Sequence, residues 1–311
     1  MKPSLAAIER PLPPPVSRTV CAVIVTYYPD LGLVDRIERV TKQVAQTVIV
    51  DNGSSEAHIE QIRKIAIRWP LYMILNATNE GIARALNAGA QWAASQGYRW
   101  ILTLDQDTVV SPDMLGSMVE TFRSCPYPDR LAVIGSNYRD KVTGRVLSEV
   151  IGSKSSTDIE TVLTSGSLIS IDAFEVIGGF RDEFFIDCVD HEYCLNARAH
   201  GFHIVLTPKP VMEHGIGHTT EHRLLWKTVA TSNHSPARQY FITRNTLIMA
   251  QEYIGKEPRW VLRYLWAWMK SILRMCLFEE KRIAKMKQIV RGFHDGVLKR
   301  TNSNRRFAAQ L

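Results

Sequence analysis

Four short apolar runs rich in β-branched residues punctuate the first third of the chain: Val20–Thr26, Thr47–Val50, Tyr72–Leu75 and Trp100–Leu104. Between them lie segments with apolar residues at helical spacing, predicting helices over Leu31–Val44, Ile59–Trp69 and Gly81–Gln96. Strands that alternate with helices are joined by crossovers. They therefore predict a mostly parallel central sheet covered on both faces, an α/β fold. Ligands on such sheets sit beyond the carboxyl ends of the strands. Three polar clusters follow those ends, at Thr26–Asp30, Asp51–Ser55 and Asp105–Thr108.

At 311 residues and 45% hydrophobic, the chain suits one large α/β domain with or without an appendage. Residues 1–18 are rich in proline and lack an apolar core segment, so they are expected to be a flexible leader rather than a signal peptide. No run of 18 apolar residues occurs, which argues against a spanning helix. Five cysteines without a CxxC pair suit reduced thiols in the cytosol. The net charge of +7 is uneven: from Lys281 onward nine Lys and Arg face one acid, Asp295, while residues 1–280 sum to −1. The basicity belongs to the tail and carries no recognisable nucleic-acid fold, so no nucleic-acid partner is expected.

Asp105-Gln106-Asp107 follows the apolar Ile-Leu-Thr-Leu directly, so two carboxylates emerge together at a strand end. Paired hard oxygen ligands suit Mg²⁺ or Mn²⁺, which could bridge them to a diphosphate. Asp51 closes the second strand in a cluster of turn formers, and Asn79-Glu80-Gly81 precedes an Ala-rich helix that contains Asn87. Taken singly, each of these reads equally as a turn or cap residue. A second acidic group, Asp187, Asp190 and Glu192, lies where a helix is predicted to begin near Asp190, whose carboxylate would be favoured by the helix dipole. His214, His218 and His222 are four apart, but Gly215 and Gly217 spoil the helix that would make them a zinc stripe.

The ordered set VIVTYYPD, VIVDNGSS, NEGIARALNAG, LTLDQD, TSGSLIS, GGFRDEFFIDCVDHEYCLNARAHGF and HGIGH resembles the inverting GT-A glycosyltransferases of family 2. Within that family it is similar to bacterial rhamnosyltransferases that use dTDP-rhamnose. The resemblance covers about residues 20–250. It implies a GT-A catalytic domain over 19–250, with a nucleotide-binding half to about 110 and an acceptor-binding half beyond. Thr26, Tyr28 and Asp51 would then hold base and ribose, and Asn79, Gly81 and Asn87 would line the nucleotide pocket. Asp105 would contact ribose or metal. Asp107 and His214 would ligate Mg²⁺ or Mn²⁺, and Asp190 would be the general base. Gly166, Asp187 and Glu192 would face the acceptor. Arg244, in Tyr-Phe-Ile-Thr-Arg-Asn, would meet phosphate bidentately or pin a loop to an acid.

The implied partners are a nucleotide-sugar donor (dTDP-rhamnose or a UDP-sugar) and a saccharide or lipid-linked acceptor. A non-catalytic sugar-binding module is the rival reading. Residues 251–311 read as a separate basic amphipathic arm. From Trp260 to Ile272 its aromatic and apolar residues recur at helical spacing between cations, which suits an anionic membrane interface on the cytoplasmic side. Packing on the domain, or on a second copy of the chain, suits that pattern as well.

Overall fold

The computed structural model describes residues 11–140, 144, 146–147, 158–214, 220–224 and 227–301. The chain parts into two compact units. One comprises Met1–Arg181 with Val189–Gly215, the other Asp182–Cys188 with Ile216–Leu311.

The first unit is built on an eight-stranded sheet. In chain order its described elements are β1 (Val20–Thr26), α1 (Leu33–Thr41), β2 (Gln46–Asp51), α2 (Glu56–Arg68), β3 (Leu71–Leu75), α3 (Ile82–Ser95), β4 (Trp100–Asp105) and β5 (Val109–Val110). There follow α4 (Met114–Ser124), β6 (Leu131–Asp140), β7 (Ser167–Ser170), α5 (Ile171–Ile177), α6 (Val189–Ala199) and β8 (His203–His214). The strand order is β3-β2-β1-β4-β7-β6-β8-β5. β1 pairs in parallel with β2 and β4, β2 with β3, and β6 with β8. β7 runs antiparallel between β4 and β6, and β5 antiparallel to β8. Every residue of β1 is buried, as a central strand covered on both faces requires. The core beneath gathers Val20, Ile24, Ile37, Ile49, Trp100 and Leu102 among others.

The expected leader needs correcting where it is described. Leu12 is buried in that core, and Trp100 Nε1 donates to the carbonyl of Pro13 at 2.8 Å. A buried indole N–H needs an acceptor, and the proline-rich segment supplies it. Residues 11–18 are thus packed chain; residues 1–10 lie outside the described residues.

The second unit contains a hairpin, β9 (Thr220–Leu224) with β10 (Lys227–Thr231), and three helices: α7 (Pro236–Tyr253), α8 (Pro258–Phe278) and α9 (Arg282–Val297). Ser235 caps α7, its hydroxyl accepting from the Arg238 N–H at 3.2 Å. α9 lies backbone to backbone on α7. A Cβ at Gly292 would come within 2.5 Å of the Tyr240 carbonyl, and one at Gly296 within 2.9 Å of the Arg244 carbonyl. The domain boundary expected after residue 250 would cut through α7, because the residues that α9 covers belong to α7. The amphipathic arm is therefore part of a unit that begins well before it.

Candidate active site

The registers of the first unit bring its polar strand ends into line. Thr26 pairs with Asp51, and Val25 with Asp105. At the far edge, Val109 pairs with Glu213 and Asp140 with His214. The carboxyl end of β8 therefore lies beside the strand that starts two residues after Asp107. The side chain of His214 lies outside the described residues, as do His218 and the side chain of His222. His214 and His222 sit on strands, which leaves no helical histidine stripe.

Each cluster is braced from within. Asp51 is fully buried. One of its oxygens accepts from the Ser54 N–H at 2.8 Å, and the other from the hydroxyls of Ser54 at 2.6 Å and Thr26 at 2.9 Å. Ser54 Oγ in turn accepts from the Tyr28 N–H at 2.8 Å, fixing Tyr28 at φ 48°. The Tyr28 ring stays half exposed, edge-on to His58 at 5.1 Å. Asp51 thus shapes the turn that presents Tyr28. Asn79 accepts from Asn52 at 2.9 Å and from the N–H of Gly81 at 3.0 Å, which sets Gly81 at φ 87° as the residue entering α3. Asn87, expected in the nucleotide pocket, holds the Phe180 backbone from both sides, donating to its carbonyl at 2.7 Å and accepting from its N–H at 2.9 Å.

The Asp105–Asp107 turn is held in the same way. Gln106 brackets the Tyr27 peptide, accepting from its N–H at 2.8 Å and donating to its carbonyl at 3.1 Å. The Asp105 N–H donates to Ser165 Oγ at 3.0 Å, and Ser165 shares a 2.6 Å hydrogen bond with Thr108. Next to Ser165, Gly166 adopts φ 77°, and a Cβ there would meet Met212 Sδ at 2.4 Å and Ser136 Oγ at 2.8 Å. Only glycine fits that position. With Gln106 and Ser165 bracing it, the turn leaves Asp107 exposed and Asp105 half-buried. Two such carboxylates fit a hard divalent cation that completes its shell with substrate oxygens. Among the described residues no three His, Cys, Asp or Glu side chains already form a cage.

Asp190 lies in the first turn of α6, half-buried, accepting the His191 N–H at 2.8 Å. Burial chiefly, and then the charges of Asp140 and Asp190, push the Tyr138 hydroxyl pKa upward. Tyr138 and Asp140, which end β6, were not among the residues expected from the sequence; their only signal there is a polar ending, Tyr-Arg-Asp, on an otherwise apolar run. Cys194, one turn along α6, has its thiol pushed up to about 12 by burial, which excludes a thiolate nucleophile beside Asp190. Glu192 is buried, 3.9 Å from Arg181.

In the second unit, Asp187 is held bidentately by Arg238 at 2.9–3.1 Å, and both it and Cys188 adopt φ 64°. Asn245 donates to the carbonyls of Ile186 and Asp187 at 3.0 and 2.9 Å. Arg244 is fully buried against the Tyr240 and Phe241 rings and donates to the Glu183 carbonyl at 2.6 Å. These contacts pin the 183–187 loop by its backbone. Asp187 is likewise engaged in fixing that loop.

The family described as Glycosyl transferase family 2 matches residues 21–168, the stretch that carries the Asp51, Asp105 and Ser165 clusters. That match spans just under half of the chain. Beyond the domain, the chain is 28% identical over 252 residues to the dTDP-rhamnosyl transferase RfbF of Shigella flexneri, covering 76% of this chain and 81% of the relative. Together these make the chain a glycosyltransferase. The fold is also that of TarS residues 1–349 from S. aureus (TM-score 0.61, 14% identity, 94% of this chain and 87% of that one). A mannosyltransferase from Pyrobaculum calidifontis, solved with GDP-Man and Mn²⁺, superposes at a TM-score of 0.58 with 13% identity, covering 94% and 92%. At such identities the likeness is one of architecture, and it is the GT-A architecture expected from the motifs.

Proposed function

We propose that this glycosyltransferase moves L-rhamnose from dTDP-rhamnose to a hydroxyl of a saccharide or lipid-linked precursor, with inversion at the anomeric carbon. The observation that carries the reading is the sheet register. Thr26, Asp51 and Asp105 lie along adjoining strand ends, and the end of β8 returns beside the Asp105–Thr108 turn. The likeness to a dTDP-rhamnosyl transferase along most of both chains supports the donor.

In this reading Thr26 and Tyr28 face the nucleoside on a turn set by Asp51. The N-terminus of α3, entered through Asn79 and Gly81, favours phosphate through its helix dipole. Asp105, Asp107 and His214 would hold Mg²⁺ or Mn²⁺, whose chemistry when bound is to offset the charge gathering on the leaving diphosphate. Asp190 accepts the proton of the attacking hydroxyl. As the acceptor oxygen bonds to the anomeric carbon, the bond to the diphosphate oxygen breaks on the opposite face. A single displacement inverts the centre without a sugar–enzyme adduct. Asp140, which pairs with His214 at the end of β8, would help keep the base region anionic and orient acceptor hydroxyls alongside Gly166 and Glu192.

The test is donor turnover over a panel of dTDP-rhamnose, UDP-hexoses, UDP-N-acetylhexosamines and GDP-mannose, with Mg²⁺ or Mn²⁺ and after chelation. Turnover of dTDP-rhamnose that is lost with a chelator and restored by either ion is expected. Asp190→Asn should keep donor binding while transfer falls about 10²–10⁴-fold. Unchanged turnover would remove Asp190 as the base, and turnover of a UDP-sugar alone would overturn the donor.

A further inference from the structure

Helix α8 carries four cations, Arg259, Arg263, Lys270 and Arg274, and no carboxylate. Trp260, Val261 and Met275 are its buried residues. Leu262, Trp266, Met269, Leu273 and Leu277 are exposed instead, Leu262 at 61%, Trp266 at 59% and Leu273 at 60%. At about 100° per residue these five fall on one stripe, on the side away from the buried three, and the four cations line one flank of it. Lys270 Nζ lies 5.5 Å from the Trp266 ring centroid, reaching along the stripe's edge.

A contiguous apolar stripe in water marks a surface that something covers. A second copy of the chain is a poor occupant. Two α8 helices laid face to face in antiparallel would bring rows of cations together, and α8 itself carries no acid. An anionic bilayer offers both complements, hydrocarbon for the stripe and phosphate for the cations along its flank. The start of α9 adds to this. Lys281, Arg282 and Lys287, with Ile283 and Ala284, line a cavity of about 590 Å³, and Ile283 projects 76% exposed. No described helix is long and apolar enough to cross a membrane, so the contact lies in the plane of the surface.

We propose that α8 docks this chain on an anionic phospholipid surface, with Leu262, Trp266, Met269, Leu273 and Leu277 entering the acyl boundary and the Arg259–Arg274 row meeting lipid phosphates. The assignment stands apart from the choice of donor, since it uses none of the sugar-transfer residues.

Co-sedimentation of the full chain tests it, using vesicles of phosphatidylcholine alone and vesicles with about one-third phosphatidylglycerol. Binding to the anionic vesicles only, weakened by high salt, is expected. Trp266→Glu/Leu273→Glu should cut the bound fraction about tenfold, as should Arg263→Gln/Lys270→Gln/Arg274→Gln, because each removes one of the two complements. Donor hydrolysis in solution, measured alongside, should be unchanged in both variants, showing that they fold. Equal partition onto both vesicle types, or wild-type binding by both variants, overturns the proposal. So does a Trp266-dependent dimer by light scattering without vesicle binding, which would give the face to a second copy.

Discussion

A fully buried carboxylate that accepts three hydrogen bonds is a structural commitment before it is anything else, and Asp51 is in that position. Asp51→Asn keeps the size but turns one acceptor into a donor aimed at the Ser54 N–H or at two hydroxyls. A loss of about 1–3 kcal/mol is expected, read as a lower urea midpoint, together with weaker donor binding as the Tyr28 turn loosens. A rise confined to the donor KM at an unchanged midpoint would instead support direct base contact by Asp51. The amides tell a similar story. Gln106 brackets the Tyr27 peptide and Asn87 brackets that of Phe180, both across long sequence separations. The identity of such a residue is visible in a sequence, but its partner is not, because a side-chain amide satisfies any peptide that folding brings to it. Asp105, Asp107 and Asp190 stood out as candidates because an acid closes an apolar run or opens a helix there, but position alone does not fix exposure, since Asp51 closes such a run too and is buried.

Among the elements, α9 shows most clearly how small residues set packing. Gly292 and Gly296, four apart, let its backbone rest on the Tyr240 and Arg244 carbonyls of α7. Gly292→Ala and Gly296→Ala should each destabilise the second unit by about 1–3 kcal/mol, since the added methyl must push two helix backbones apart. Thermal unfolding checks this, and an unchanged melt would mean that the helices separate without cost. The same contact sheds light on Tyr-Phe-Ile-Thr-Arg-Asn. Its arginine and asparagine reach the 183–187 loop while its tyrosine donates to Asp295 on α9 at 2.7 Å. Strand and helix extents in the first hundred residues were readable within a residue or two at most ends, because β1, β2 and β4 are buried on both faces and the period changes sharply between strand and helix. The edge strand β3 kept its place while exposing Tyr72 and Leu75, its tyrosine stacked on Trp92 at 4.2 Å.

At the scale of the whole molecule, the basic C-terminal region cannot be removed as a detachable arm. Truncation after Lys281 would strip α9 from α7 and leave Lys285's buried partner, Glu279, paired at 2.6 Å in the intact chain, with its charge unmatched. Such a chain is expected to be poorly soluble or to lose the melting transition of the second unit. Soluble yield and calorimetry would show this, and a well-folded truncated protein would reinstate the arm as an appendage. Point changes on α8 are therefore the cleaner probe of its exposed face. The sequence by itself determined the alternation of strand and helix, the acids at strand ends, the order of family motifs and the placement of charge in the last thirty residues, since each depends on neighbours along the chain. Tertiary structure alone decided that Pro13 receives the Trp100 indole, that Arg244 holds a loop, that Asp140 pairs with His214 across β6 and β8, and that α7 to α9 form one unit. Those outcomes depend on which distant groups meet in a buried space, where every polar atom must find a partner and no volume stays empty.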